Sequence, residues 1–512
     1  TEASQVNSFA FGGNAIASAA NAGAVGAGAE ATGTSALAVG FGTKATAASA
    51  LGVGDQANAS GISAIAIGTQ TEASQVNAFA LGDKAVASAA NAGAVGAGAE
   101  ATGTSALAVG VGSKATAASA LAVGVGSSSA LEAGLALGFQ ANSSGVGSSA
   151  VGRDTKASGT EATALGAFSN ASGDYSTALG SRASAASETS IAVGYQSIVN
   201  GVNAIAIGSN TSATCANSFV IGAGAIANGI AAGAVGFKAN TQGESAMAVG
   251  VQASALGANS LALGYFAFTN GADAIAIGSK ASSNNTNASS LGTNARASGI
   301  NSMAFGANAR ATGTNATAIG AQSFADRTNS FVIGPNTTAC GVNAGAIGAS
   351  ANATGEASLA IGVQSYAQQD SSLALGTNAK SIGTNSTAIA VNSSATGANS
   401  MAIGYFSRSR GINSAALSVE ANATGNNSVA LGVYANAQGG NALSFGTFSE
   451  AIGTNATAIS SNSSATGDNS IAIGVKSVAN AANSQSFGVQ ATASGANAVA
   501  IAARSFANGA NS

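Results

Sequence analysis

Bulky apolar residues recur along this chain in pairs, one residue apart, every fourteen residues: Leu37 and Val39, Ile65 and Ile67, Phe79 and Leu81, Phe331 and Ile333. A glycine follows each pair, from Gly12, Gly26, Gly40 and Gly54 through to Gly488, with no insertion or deletion. Of the 36 places on this grid, only Ala390, Ser418, Ser460 and Ala502 are not glycine. Numbering each repeat from its glycine as zero puts the bulky pair at positions 11 and 13. Positions 3 and 5 are mostly alanine, as in Ala57 and Ala59 or Ala295 and Ala297. Both pairs have the two-residue spacing of a strand. The pattern therefore predicts two short strands per repeat, with the bulky side chains of one facing the alanines of the other. Turns are expected at the grid glycine and near position 7, where a second glycine recurs (Gly33, Gly61, Gly145, Gly299, Gly425). A register kept over the whole chain is the signature of a solenoid, each repeat one rung stacked on the last. The expectation is an all-β molecule of about 36 coils. It forms one continuous body over residues 1–512, about 170 Å long at roughly 4.8 Å per rung.

Between the bulky pair lies position 12, which is alanine in 30 of 36 rungs and never charged (Ala10, Ala38, Ala66, Ala206, Ala472). If the bulky pair points inward, position 12 points outward, and with the small residues at position 10 it makes a flat, dry face. Positions 1, 2 and 4 hold most of the charge, including Asp55, Lys84, Glu30, Lys44, Arg153 and Arg310. A continuous apolar strip is not left bare by a soluble monomer, so this alanine face is expected to pack against other copies of the chain. Energetics agree. Two aliphatics per rung contribute roughly 1.5–3 kcal/mol each, against about 1–2 kcal/mol per residue for ordering the backbone. An obligate oligomer follows, and a folded monomer by light scattering would contradict it.

Position 9 is mostly Ser or Asn, and from Asn385 to Asn511 it is Asn in ten successive rungs, which predicts an amide ladder along one turn. Composition narrows the function. Charged residues make up 7 %, the net charge is −3, and His and Trp are absent. With no basic run, a nucleic-acid footprint is not expected, and no apolar stretch is long enough to span a membrane as a helix. The chain opens on Thr1, without a signal-peptide pattern, and begins and ends inside a repeat, as a segment of something longer would. Cys215 and Cys340 lie nine repeats apart, beyond disulfide reach, and read as small buried hydrophobes. Without His there is no ordinary neutral-pH acid–base catalyst. Carboxylates are scattered singly, no zinc-ligand spacing occurs, and "GSKA" at 278–281 is a grid glycine followed by an exposed lysine. No catalytic residue, metal site or cofactor is expected. The frequent Asn-x-Ser/Thr triplets, Asn58 and Asn170 among them, follow from the repeat composition and imply no glycosylation.

The rung sequences "NSFVIG" (217–222 and 329–334), "NAIAIG" (203–208), "NSMAIG" (399–404) and "NSIAIG" (469–474), with "A-x-A-x-G" between them, resemble the head repeats of YadA-like trimeric autotransporter adhesins over essentially the whole chain. The resemblance implies a left-handed parallel β-roll, three chains side by side, on a bacterial cell surface. It also implies attachment to host matrix proteins, cells or surfaces, and autoaggregation. No heptad stalk, neck or set of membrane-anchor strands is found within 1–512, so the resemblance places the outer-membrane anchor in parts beyond this chain. The alternative is a structural extracellular fibre or spacer with no specific ligand. An ice- or crystal-binding face would want a threonine array, and the threonines keep no single register.

Candidate ligand contacts are exposed aromatics and arginines at positions 1, 2 and 4. Tyr265, Phe266 and Phe268 form one set, and Tyr405 and Phe406 with Arg408 repeat it; such residues are enriched at interaction hot spots. Arg296 and Arg310 share position 4 on adjacent rungs and can hold an anionic group, while Glu30 over Lys44, copied as Glu100 over Lys114, reads as cross-rung pairing. Residues 1–54 match 71–124 at 46 of 54 places, a five-rung duplication that suits a spacer selected for length.

Overall fold

The computed structural model describes residues 1–512 and contains strands and turns, with no helix. The chain forms two compact units, Thr1–Ala258 and Asn259–Ser512, built on one plan. Each unit carries eighteen three-residue strands, such as Leu37–Val39, alternating with two-residue strands, such as Glu30–Ala31. Like pairs with like in parallel, fourteen residues apart. Leu37 lies beside Leu51 in one sheet, and Glu30 beside Lys44 in the other. Each unit is thus a parallel β-solenoid of fourteen-residue coils, a flattened roll with a three-residue and a two-residue sheet back to back.

Hydrogen bonds account for nearly every backbone group. Leu37 N–H donates to Ala50 at 2.9 Å and Gly40 N–H to Val25 at 2.7 Å, rung to rung. The corners close on themselves, Ala29 N–H reaching Gly26 at 3.3 Å and Ala36 N–H reaching Gly33 at 3.1 Å. Three residues per rung turn with positive φ. Positions 2 and 9 are left-handed, as at Gln56 (φ 55°) and Asn91 (φ 59°), which favours Asn there. Position 0 is more extreme, with φ 132° at Gly26, where an added Cβ would sit 2.1 Å from the carbonyl oxygen of Gly40. Both conformation and space therefore call for glycine. The four exceptions, Ala390, Ser418, Ser460 and Ala502, are held at φ 103–125°, a region that costs a side-chain-bearing residue about 1–3 kcal/mol.

The inside and outside of the coil are reversed from the expectation above. Position 12 is buried: Ala38, Ala66, Ala206 and Ala472 have no exposed surface, and Ala10 is half-exposed only because it lies in the first rung. The bulky pair points outward, Leu81 being 45 % and Ile333 44 % exposed. Alanines at positions 3 and 5 face alanines and serines at 10 and 12 across an interior with no room for a branched γ-carbon on both sides. The largest fully buried side chains are three valines, Val199, Val220 and Val332, followed by threonines. Period-two alternation was legible, but its direction was set by the width of the coil rather than by hydrophobicity. Buried serines hold the corners: Ser302 Oγ donates to Gly299 at 2.7 Å and Ser113 Oγ to Gly110 at 2.9 Å, three residues back in each case.

The amide ladder is present. From Asn385 to Asn511 each Asn Nδ2 donates to the Oδ1 of the next rung, at 2.8–3.2 Å. A shorter one runs from Asn287 to Asn343. Both cysteines are free and half-exposed rather than buried, a second correction: they sit at the corner near position 7 instead of inside the coil. Cys215 Sγ donates to the carbonyl of Asn228 at 2.9 Å. Burial and the neighbouring Asp326 carboxylate raise the pKa of Cys340, which keeps its thiol protonated.

Candidate interaction surfaces

Two surfaces differ in chemistry. The first is the outer side of the three-residue sheet, where position 13 is Leu, Ile, Val or Phe in every rung and position 11 is mostly apolar, with Ser or Thr in seven rungs and Gln485 in one. This strip, and not the alanine column, is the dry face. Ala38, Ala66, Ala206 and Ala472 lie behind it, inside the coil, and cannot contact another chain; Ala10 is reached only because it is in the first rung. Its relief is levelled by pairing. Every phenylalanine at position 11 (Phe9, Phe79, Phe219, Phe331) is followed one rung on by the only glycines at that position (Gly23, Gly93, Gly233, Gly345). The rings lie over those glycines, so that a Cβ on Gly23 would fall 2.2 Å from Phe9 Cζ and one on Gly233 2.3 Å from Phe219 Cζ. The coupling was readable in the sequence as a fourteen-residue Phe-to-Gly correlation. It goes unseen when each rung is read alone.

The second surface flanks the two-residue sheet. Residues at positions 2 and 4 stand as two columns, with a shallow groove between them floored by small residues at position 3. One stretch of this groove, of about 260 Å³, is lined by Asn378, Lys380, Asn392, Ser394, Phe406 and Arg408. The anticipated contact residues fall on or beside these columns. Tyr265 and Tyr405 are about half exposed, and each meets the next residue edge-on, Tyr265 with Phe266 at 4.4 Å and Tyr405 with Phe406 at 4.5 Å between ring centroids. Phe268 begins a two-residue strand, half-buried. Arg296 and Arg310 are register neighbours, and the Arg310 guanidinium lies 5.0 Å from the ring centre of Phe324, an aromatic the sequence reading passed over. The two aromatic sets are not brought together; they remain ten rungs apart on one face of the second unit. Cross-rung ion pairs form as expected, Lys44 to Glu30 at 3.7 Å and Lys114 to Glu100 at 3.1 Å, both well exposed.

No group of three or more His, Cys, Asp or Glu side chains is placed to hold a metal ion. No helix is long and apolar enough to cross a membrane.

Compared with known families, the chain matches the YadA head domain repeat in twenty stretches: residues 45–71, 101–127, 132–155, 157–183, 185–211, and, in partly overlapping matches, most of 242–484. These stretches cover more than half of its length. The chain belongs to the YadA head family. Among curated proteins no relative was found. Membership points to an adhesin-type segment of a trimeric autotransporter, displayed outside the cell.

Proposed function

We propose that this chain is the head of a bacterial surface adhesin, coiled left-handedly and assembled as three copies side by side. In this reading it attaches cells to host matrix or other surfaces, promotes autoaggregation, and is tied to the outer membrane through parts beyond residues 1–512. The fourteen-residue register, unbroken from the first rung to the last, supports taking both units as one head. The observation that carries the reading is the outward strip at positions 11 and 13. It is apolar along both units, levelled by phenylalanine over glycine, and of a kind that soluble chains cover. Covering it with two other copies leaves the position 2 and 4 columns facing solvent, with Tyr265, Phe266, Phe268, Arg296, Arg310, Tyr405, Phe406 and Arg408 as candidate ligand contacts.

Sedimentation equilibrium tests the assembly: a mass three times the 47.7 kDa of one chain is expected, and a folded monomer at micromolar concentration overturns it. Solid-phase binding to collagen, fibronectin and laminin tests the adhesive role. A structural fibre without a ligand is the second reading, favoured by the amide ladder, whose repeated hydrogen bonds stiffen one edge and recognise nothing. End-to-end filaments by electron microscopy, with no matrix binding, would select it.

A further inference from the structure

In the second unit, one stretch of the columns at positions 2 and 4, ending before Glu420, is basic and free of acid. From Gly264 to Val419 they carry five basic residues, Lys280, Arg296, Arg310, Lys380 and Arg408, and no acidic one. All five are exposed. None makes an ion pair, whereas Lys44, Lys114 and Arg153 in the first unit each have a carboxylate partner. The acidic residues of the same span, Asp273, Asp326, Glu356 and Asp370, all fall at positions 6, 8 or 9, at the opposite corner of the coil. Arg327 and Arg410 share that corner, where Arg327 pairs with Asp326 at 3.4 Å; the columns at positions 2 and 4 hold cations alone.

Between the cations stand aromatic and amide side chains. Phe266, Phe268, Phe324, Tyr366 and Phe406 share the two columns, and Asn378, Asn392 and Ser394 line the groove between Lys380 and Arg408. Lys380 and Arg408 flank Ser394 in register, two rungs apart, roughly 10 Å at strand spacing. Across the span, five cations are distributed over about nine rungs, on the order of one per 10 Å.

We propose that this stripe binds an acidic polysaccharide laid along the solenoid axis; the assignment rests on the adhesin reading and names its ligand class. The cations meet carboxylate or sulfate groups, the aromatic faces take the apolar faces of sugar rings, and the amides and hydroxyls exchange hydrogen bonds with sugar hydroxyls. The groove is shallow and open, which suits an extended polymer gripped weakly at many rungs, where avidity accumulates along the chain. Charge density selects against the other polymer that basic and aromatic residues recognise. A nucleic acid strand carries a charge about every 3.4 Å, three times the density of this stripe.

Binding of the full chain to hyaluronan, which has one carboxylate per disaccharide, tests the proposal by biolayer interferometry. Uncharged dextran and single-stranded oligothymidylate serve as comparison probes. The expected result is hyaluronan binding that weakens with salt, no dextran binding, and a loss of at least tenfold in the combined variant Arg296→Gln, Arg310→Gln, Lys380→Gln, Arg408→Gln. Arg327→Gln, off the stripe, leaves affinity unchanged. All four replaced side chains are exposed, and a matching thermal melt confirms that the variant folds. Absent hyaluronan binding, undiminished binding by the variant, or tighter binding of oligothymidylate overturns the proposal. Solid-phase matrix binding and oligomer mass, measured on the same proteins, report on the adhesin reading separately.

Discussion

At the scale of single residues, size outranks hydrophobicity in deciding what lies inside. Ile205 and Ala206 are neighbours in one strand, and the alanine is the buried one. Replacing Ala206 with Leu forces a branched side chain into a coil whose largest buried groups are valines. We expect a destabilisation of about 3 kcal/mol or more, visible as loss of the cooperative thermal melt, whereas Ile205→Ala keeps the folded circular dichroism spectrum. A second residue-scale prediction concerns the off-grid positions. Ala390 is held at φ 105°, so Ala390→Gly relieves local strain against a smaller gain in unfolded-state entropy. A net stabilisation of about 1 kcal/mol is expected in urea titrations. The converse change at a grid glycine, Gly404→Ala, is destabilising, because its Cβ would stand 2.2 Å from the Ser418 carbonyl oxygen.

Strands of two and three residues are too short to persist alone, and each is defined by its neighbours above and below. The ladder belongs to this scale. Asn441 accepts from Asn427 and donates to Asn455 while turning with φ 56°. Asn441→Ala removes two amide hydrogen bonds and places alanine in the left-handed region, for about 1–3 kcal/mol. Asn441→Asp keeps the acceptor but loses the donor to Asn455. Hydrogen exchange measured by mass spectrometry is expected to rise around residues 427–455 in the alanine variant, more than in the aspartate variant. Strand positions, turn positions and this ladder were all legible in the sequence, because each depends on local spacing. The facing of the bulky pair was not. It depends on how close two sheets stand when both are joined by tight turns, a distance that no single repeat reveals. The contact residues were legible as types, since Tyr405, Phe406 and Arg408 stand out against an alanine background. That Phe406 and Arg408 stand in columns free of acid from Gly264 to Val419 became visible only once Lys380 and Arg408 were aligned across Ser394.

For the whole molecule, the reversal of inside and outside moves the proposed self-association surface from one set of residues to another. Charges placed on the outward strip, Ile205→Asp, Ile275→Asp and Ile471→Asp together, are expected to dissociate the assembly while each rung keeps its alanine interior. Sedimentation velocity would then report a smaller species, and the melting temperature would become strongly dependent on protein concentration. Lys84→Asp, on the charged corner, serves as control and leaves both unchanged. An assembly indifferent to the three strip charges would return the question to some other face.

Phenylalanine lying over glycine has a consequence for how such a chain can lengthen. The segment beginning at Thr1 reappears at Thr71, and the copy carries Phe79 and Gly93 together, as the original carries Phe9 and Gly23. A crossover between the two members at any other offset would set a ring against the leucine, isoleucine, threonine or methionine that most rungs offer at that place, and the seam would not close. Viable breakpoints are therefore confined to rungs outside such couples, and the repeat inherited as a unit is longer than the repeat that folds as one.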